Sequence, residues 1–171
     1  MILVESDVSG EWDSSISWAD LAEEAVRAAI SSSHLTTLAD ASGAAEVSVK
    51  FAGDEEVRAL NAAWRGKDKA TNVLSFPMME TDQLAAAAAH APGELLLGDI
   101  VLAHGVCARE AAAKGVAVRD HAAHLVVHGT LHLLGYDHEE GEDEAEAMER
   151  VERRALAILG IADPYLSEVG H

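Results

Sequence analysis

Cysteine is nearly missing from this chain of 171 residues, in which Cys107 stands alone. No internal disulfide can form, so the core must hold the fold. Residues 1–7 have no basic segment and only a short apolar run, unlike a secretory leader. Together these features lead us to expect a reducing, cytoplasmic setting. Aromatic residues make up only 4% of a sequence that is 49% apolar. Alanine and leucine must therefore fill much of the interior, which favours helices. Basic residues are also scarce: 12 face 30 acidic ones, a net charge of −18. That balance argues against a protein that coats nucleic acid non-specifically, while leaving room for an enzyme with a small basic cleft. No stretch is long and apolar enough to span a bilayer. No internal repeat or linker breaks the chain, and its length suits one domain, residues 1–171, with a loose tail after about residue 164.

The acids that are present crowd one segment: Glu139, Glu140, Glu142, Asp143, Glu144, Glu146, Glu149 and Glu152. We expect most of this acidic excess to be solvated helix surface that also aids solubility. The segment from Arg65 through Lys67 and Lys69 is locally positive.

Apolar spacing gives the order of elements. A short strand begins at Ile2. Ser17 and Asp20 make a capping-box variant at the head of a helix with Leu21, Ala25, Ala28 and Ala29 at helical spacing, ending near Ser31 to Ser33. Residues 45–51 alternate apolar and polar as a half-buried strand does. A helix after Gly53 carries Val57, Leu60 and Trp64 on one side. Residues 71–77 return to strand character, with Pro77 at an end or edge. An alanine-rich excursion follows over residues 79–93, with a helical turn expected at 85–89. Residues 94–103 read as a strand, and Gly98 inside it signals a bulge or a close approach. Two helices are expected at 104–114 and from Val118 onward, then a last one over 141–159, acidic at its start and basic near its end as suits the helix dipole. The sum is an α/β (α+β) domain, with a small mixed sheet of about four strands packed with helices.

The most informative stretch is His128-Gly129-Thr130-Leu131-His132-Leu133-Leu134-Gly135-Tyr136-Asp137-His138. His128 and His132 are four residues apart, so a helix presents both from one face. Gly135 can adopt the left-handed conformation that ends a helix and reverses the chain, bringing His138 back as a third ligand. Three protein nitrogens with a fourth position left open are the mark of a catalytic zinc. We therefore expect one Zn2+ per chain on His128, His132 and His138; nickel and copper also accept imidazole. Leu125, Val126, Val127, Leu131, Leu133 and Leu134 make this helix largely buried. His121 and His124 lie on nearly the same face; orienting a ligand or lining the groove are both open to them, and neither is taken as a ligand.

The array also resembles the metzincin motif, with Gly129 in the slot of the glutamate that activates water in those proteases. Glycine takes no proton, so peptide hydrolysis by that route is disfavoured. A metal site lacking that base suits phosphodiester hydrolysis. The phosphate charge would need a cation; Arg65, whose guanidinium can fork onto two oxygens, is the best candidate, while the roles of a surface arginine or a helix C-terminal cap stay open to it on sequence alone. Lys67 and Lys69 are candidates for flanking phosphates and Ser75 for a substrate oxygen. Asp137 and Asp99 each have several roles open.

The histidine block resembles the signature of the YbeY family, bacterial endoribonucleases of ribosomal RNA maturation. The segment from Asn61 through Trp64, Arg65, Thr71, Asn72, Ser75 and Phe76 to Pro77 resembles that family's other hallmark, and Leu97-Gly98-Asp99-Ile100 its next strand. The three occur in family order within roughly residues 45 to 160. One departure is Asn72, where the family usually has Asp, which puts in question any role needing a carboxylate there. The resemblance implies a four-stranded sheet with the metal helix central and catalytic roles for Arg65 and, through the metal, for His128 and His132. It also implies action on single-stranded small-subunit (16S) ribosomal RNA, in maturation and ribosome quality control. Ribosomal proteins and a ribosome-assembly GTPase are the implied partners. Two other function classes remain: a ribosome-assembly factor that binds RNA around a structural zinc, and a zinc hydrolase of another substrate.

Overall fold

The structure, a computed structural model, describes residues 2–35, 45–80, 82–84, 86, 95–136 and 141–162. Its elements run β1 (Ile2–Val8), α1 (Trp18–Ser32), β2 (Ala45–Ala52), α2 (Asp54–Arg65), β3 (Val73–Pro77), β4 (Leu95–Ala103), α3 (His104–Lys114), α4 (Val118–Leu133) and α5 (Glu142–Ile158). The expected segments at 79–93, 137–138 and beyond 164 lie largely or wholly outside the described residues. The four strands form one mixed sheet in the order β1-β2-β4-β3. β1, β2 and β4 are parallel, and β3 closes the edge antiparallel to β4. The α/β (α+β) expectation holds.

Alternation along the strands makes two unequal faces. Val47, Val49 and Phe51 of β2 and Ile100 and Leu102 of β4 join residues of α1, α4 and α5 in the main core. Ala52, Leu74, Val101 and Ala103 point the other way, into a smaller cluster under Val57 of α2. Trp12, Trp18 and Phe51 meet in tilted and edge-to-face contacts within the main core. Both indole N–H groups are satisfied by backbone carbonyls, of Ala52 and Asp13 respectively, so these large rings bury area without stranding a donor. Trp64, expected beside Val57 and Leu60, is 72% exposed. It lies on the last turn of α2, on the expected side, at the rim of the smaller cluster with its ring 6.4 Å from that of Phe76.

Two glycines set the position of α4. Gly98 occupies the bulge of β4, where the pairing with β2 skips one residue; its φ of 145° and the nearby Phe76 carbonyl leave no room for a side chain. Gly129 of α4 lies so close to β4 that an added Cβ would stand 2.9 Å from the Ile100 Cγ2. The helix thus rests on the sheet, between α1, α3 and α5. Leu131, Leu133 and Leu134 are fully buried, each contributing about 1.5–3 kcal/mol by leaving water. Thr130, also buried, returns its hydroxyl to the Val126 carbonyl at 2.7 Å.

Candidate metal centre

The end of α4 builds the site. Gly135 has φ 95°, its N–H bonds to the His132 carbonyl at 3.1 Å, and the Tyr136 N–H reaches the Leu131 carbonyl at 3.0 Å. This pair of bonds is a Schellman motif, and it needs the left-handed conformation that glycine provides. The reversal expected from the sequence is present. It returns the Tyr136 carbonyl to within 3.0 Å of the His132 Nδ1. The Tyr136 hydroxyl meets the backbone N–H and the Nδ1 of His34, past the end of α1, and so steadies the turn.

His128 and His132, one turn apart on α4, have ring centroids 4.6 Å apart. The His128 Nδ1 lies 2.9 Å from the Oε1 of Glu152 on α5. The other oxygen of Glu152 lies 2.8 Å from the His124 Nε2. Glu152 is 1% exposed, the exception in a segment whose acids are expected to be mostly solvated surface. It shares the inward stripe of α5 with Met148, Val151, Ala155 and Leu156. A carboxylate inside such an apolar stripe was the signal available in the sequence. Burial raises its pKa, but the hydrogen bonds from His124 and His128 and their positive charge outweigh this and bring it down to about 2. Each Glu152 oxygen faces a ring nitrogen, and only the ionised carboxylate offers an acceptor at both.

Proton accounting then assigns the tautomers. An ionised carboxylate only accepts, so the His128 Nδ1 carries the proton it donates to Glu152. A backbone carbonyl only accepts as well, so the His132 Nδ1 carries the proton it donates to Tyr136. In neutral rings this leaves both Nε2 atoms as acceptors toward each other, 3.0 Å apart. Two lone pairs at hydrogen-bond distance repel unless a cation lies between them. The donor set fits a metal that takes neutral imidazole, zinc first among them. Among the described residues, two candidate ligands and no group of three converge there. His138, the expected third ligand, and Asp137 lie outside the described residues.

The other sequence candidates are placed differently. His121 at the head of α4 is buried, with its Nε2 2.8 Å from the Oε1 of Glu110 on α3. Burial lowers its pKa, against the pull of Glu110. Asn72 donates its amide to the same carboxylate at 3.0 Å. An aspartate at 72 would set a second carboxylate against Glu110, whereas the amide satisfies it. Asn72 thus belongs with His121 and not with the facing pair. His124 is the histidine that serves the site, through Glu152. Asp99 and Ile100 are neighbours on β4 and point to opposite faces; Ile100 touches α4, so Asp99 is turned away from the histidines.

Arg65 ends α2, where Gly66 at φ 69° stops the helix. Its Nη2 donates to the Ser75 carbonyl on the free edge of β3, a long bond of 3.4 Å. α4 packs against that strand, yet among the described residues no hydrogen bond or ion pair joins Arg65 to His128 or His132. No described carboxylate pairs with Arg65, whereas Arg58 is held by Asp68 and Glu55, and Arg109 by Asp54. The loop carrying Lys67 and Lys69 is anchored by the Asn61 amide, which donates to the Lys69 carbonyl at 2.8 Å. Cys107 is buried and its thiol is pushed up to about 12, so it is no nucleophile at neutral pH. Among the described residues no helix is long and apolar enough to cross a membrane.

Known proteins agree with this architecture. The solution structure of TM1509 from Thermotoga maritima has a TM-score of 0.55 at 22% identity, covering 94% of this chain and 92% of that one, a likeness of fold. The Endoribonuclease YbeY of Novosphingobium aromaticivorans is 54% identical over 170 residues, covering 97% of each chain. That of Rhizorhabdus wittichii is 55% identical over 165 residues, covering 96% of this chain and 97% of its own. The family model described as Endoribonuclease YbeY matches residues 9–160, a span that holds the facing histidines, Glu152 and Arg65, and the chain belongs to this family of endoribonucleases.

Proposed function

We propose that this protein is a zinc-dependent, single-strand-specific endoribonuclease acting in 16S ribosomal RNA maturation and ribosome quality control in the cytoplasm. The family supports the endoribonuclease chemistry. The observation that carries the metal reading is the pair of acceptor nitrogens on His128 and His132, 3.0 Å apart and backed by Glu152 and the Tyr136 carbonyl. His128, His132 and His138 would hold one zinc. A bound zinc supplies Lewis acidity, making water a nucleophile near neutral pH and polarising a phosphoryl oxygen.

The chain's own residues supply the rest. Glu152 and the Tyr136 carbonyl keep the ring protons on Nδ1, so both Nε2 atoms are ready as ligands from the start. Arg65 would meet the phosphate: its guanidinium presents paired donors and has no described carboxylate to neutralise it. Gly129 offers no base, so peptide hydrolysis of the metzincin kind has no counterpart here. Small-subunit ribosomal RNA as substrate, with ribosomal proteins and a ribosome-assembly GTPase as partners, rests on the family resemblance alone.

Cleavage of a labelled single-stranded RNA by zinc-loaded and by chelated protein tests the reading, with His132→Ala purified alongside to expose contaminating ribonuclease. We expect cleavage only by the zinc-loaded wild-type protein. Tight RNA binding with no cleavage in any preparation would instead favour an assembly factor with a structural zinc.

A further inference from the structure

We infer that Glu152 is the positioning residue of the metal centre: its buried carboxylate locks His128 in the Nδ1–H tautomer and so turns the Nε2 lone pair toward His132. The inference rests on the zinc reading above and goes further, since Glu152 is no ligand and comes from a different helix.

The geometry carries it. Glu152 projects from α5 against the side of α4, and each oxygen serves one imidazole, Oε1 that of His128 at 2.9 Å and Oε2 that of His124 at 2.8 Å. A carboxylate gripped at both oxygens has little freedom to rotate, so the His128 ring it holds is fixed in orientation as well as in tautomer. Imidazole chooses its proton position by what each nitrogen faces. Without the carboxylate the His128 ring could protonate at Nε2, which blocks that atom as a ligand. His132 needs no such partner, because the Gly135 turn already brings it the Tyr136 carbonyl. The two ligands are thus oriented by different means, one local and one tertiary. Partners that orient metal-binding histidines typically cost about 10–100-fold in metal affinity when removed.

Glu152→Gln is the informative change. It keeps the shape but replaces one acceptor oxygen by a donor NH2, so it can accept from only one of the two rings. Three measurements decide the matter on the full chain: nitrogen-15 NMR of the histidine rings in metal-free protein, at about pH 8.5 where an ordinary imidazole is neutral; the zinc dissociation constant by competition with a chromophoric chelator; and the thermal melt. We expect His128 to carry its proton on Nδ1 in the wild-type protein, a mixed or Nε2–H state in Glu152→Gln, and zinc bound about 10–100-fold more weakly by the variant. A wild-type His128 protonated on Nε2 overturns the inference. So does a Glu152→Gln protein that melts lower yet keeps the tautomer and the zinc affinity, since Glu152 would then serve packing only. Should the variant fail to fold, the wild-type ring spectrum decides alone. Wild-type protein with the Nδ1–H tautomer but no affinity for zinc upholds the carboxylate's grip on His128 and overturns the metal reading instead.

Discussion

The two ends of α4 carry histidines that look alike in sequence and differ in what they face. At the N-terminal end the His121 Nε2 meets the Glu110 carboxylate, which also takes the Asn72 amide. Donor meets acceptor there, and the cluster is complete within the protein. At the C-terminal end the carboxylate and the carbonyl lie behind the rings, at Nδ1, and the two Nε2 atoms face each other. The same residue type builds a structural contact at one end and, on the proposed reading, a metal site at the other. The difference is which ring nitrogen the surroundings occupy.

Removing a ring from each end should break the comparison most clearly. We expect His132→Ala to lose zinc, with affinity down by at least about a hundredfold if roughly 10–16 kcal/mol of zinc binding is shared among a few ligands. His121→Ala should keep zinc and lose stability. Elemental analysis of untagged protein, together with thermal melts, reads both; zinc retained by His132→Ala would remove the site.

Arg65 lies outside both clusters, and its loss should separate metal binding from cleavage. Arg65→Ala is expected to hold zinc and melt normally while RNA cleavage falls by about a hundredfold or more, the scale of losing one group that stabilises transition-state charge. Arg65→Lys should recover part, because an ammonium cannot make the planar two-point contact. Full cleavage by Arg65→Ala would leave it as a cap on the β3 edge.

Gly129→Ala tests the seat of the helix. The new methyl would meet Ile100 and lift the C-terminal half of α4 from β4. Overpacking should cost about 1–3 kcal/mol, reduced by up to about 1 kcal/mol of better helix propensity. Zinc affinity should fall with it, while nitrogen-15 shifts of the His121 ring stay in place.

The smallest expected effect is in pH. His121 has a lowered pKa in the folded protein, so its neutral form is favoured there and the unfolded chain binds the proton more readily. Its contribution to stability should be full above about 6.5, the ordinary histidine value, and decline as the pH falls below it. Zinc affinity should weaken over the same range, because protons compete for the ligands. Melts of metal-free protein isolate the first effect. His121→Gln should flatten it, and an unchanged pH profile in that variant would assign the decline elsewhere.

Much of the site was legible because it is local. His128 and His132 share a face by helical periodicity, and Gly135 turns the chain through sterics spanning a few residues. The limits of α3 and α4 and the bulge at Gly98 were readable for the same reason. Glu152 was not: beside its acidic neighbours it reads as surface, and only the packing of α5 on α4 puts it opposite a residue 24 positions away. Trp64 keeps the side of α2 that helical spacing gave it, beside Phe76, but spacing cannot say where the neighbouring core ends, and it is left exposed.

By itself, then, the sequence determined the elements, the pairing of two histidines on one helix face and the turn that follows them, since backbone sterics and side-chain period act over a handful of residues. Only the tertiary structure decided the strand order, the union of Asn72 with Glu110, 38 positions away, and with His121, and the turning of Asp99 away from the histidines. It also decided which nitrogen of each imidazole faces the other ring. A ring's tautomer follows its nearest acceptor, and for His128 that acceptor arrives from another helix, through packing that no local pattern encodes.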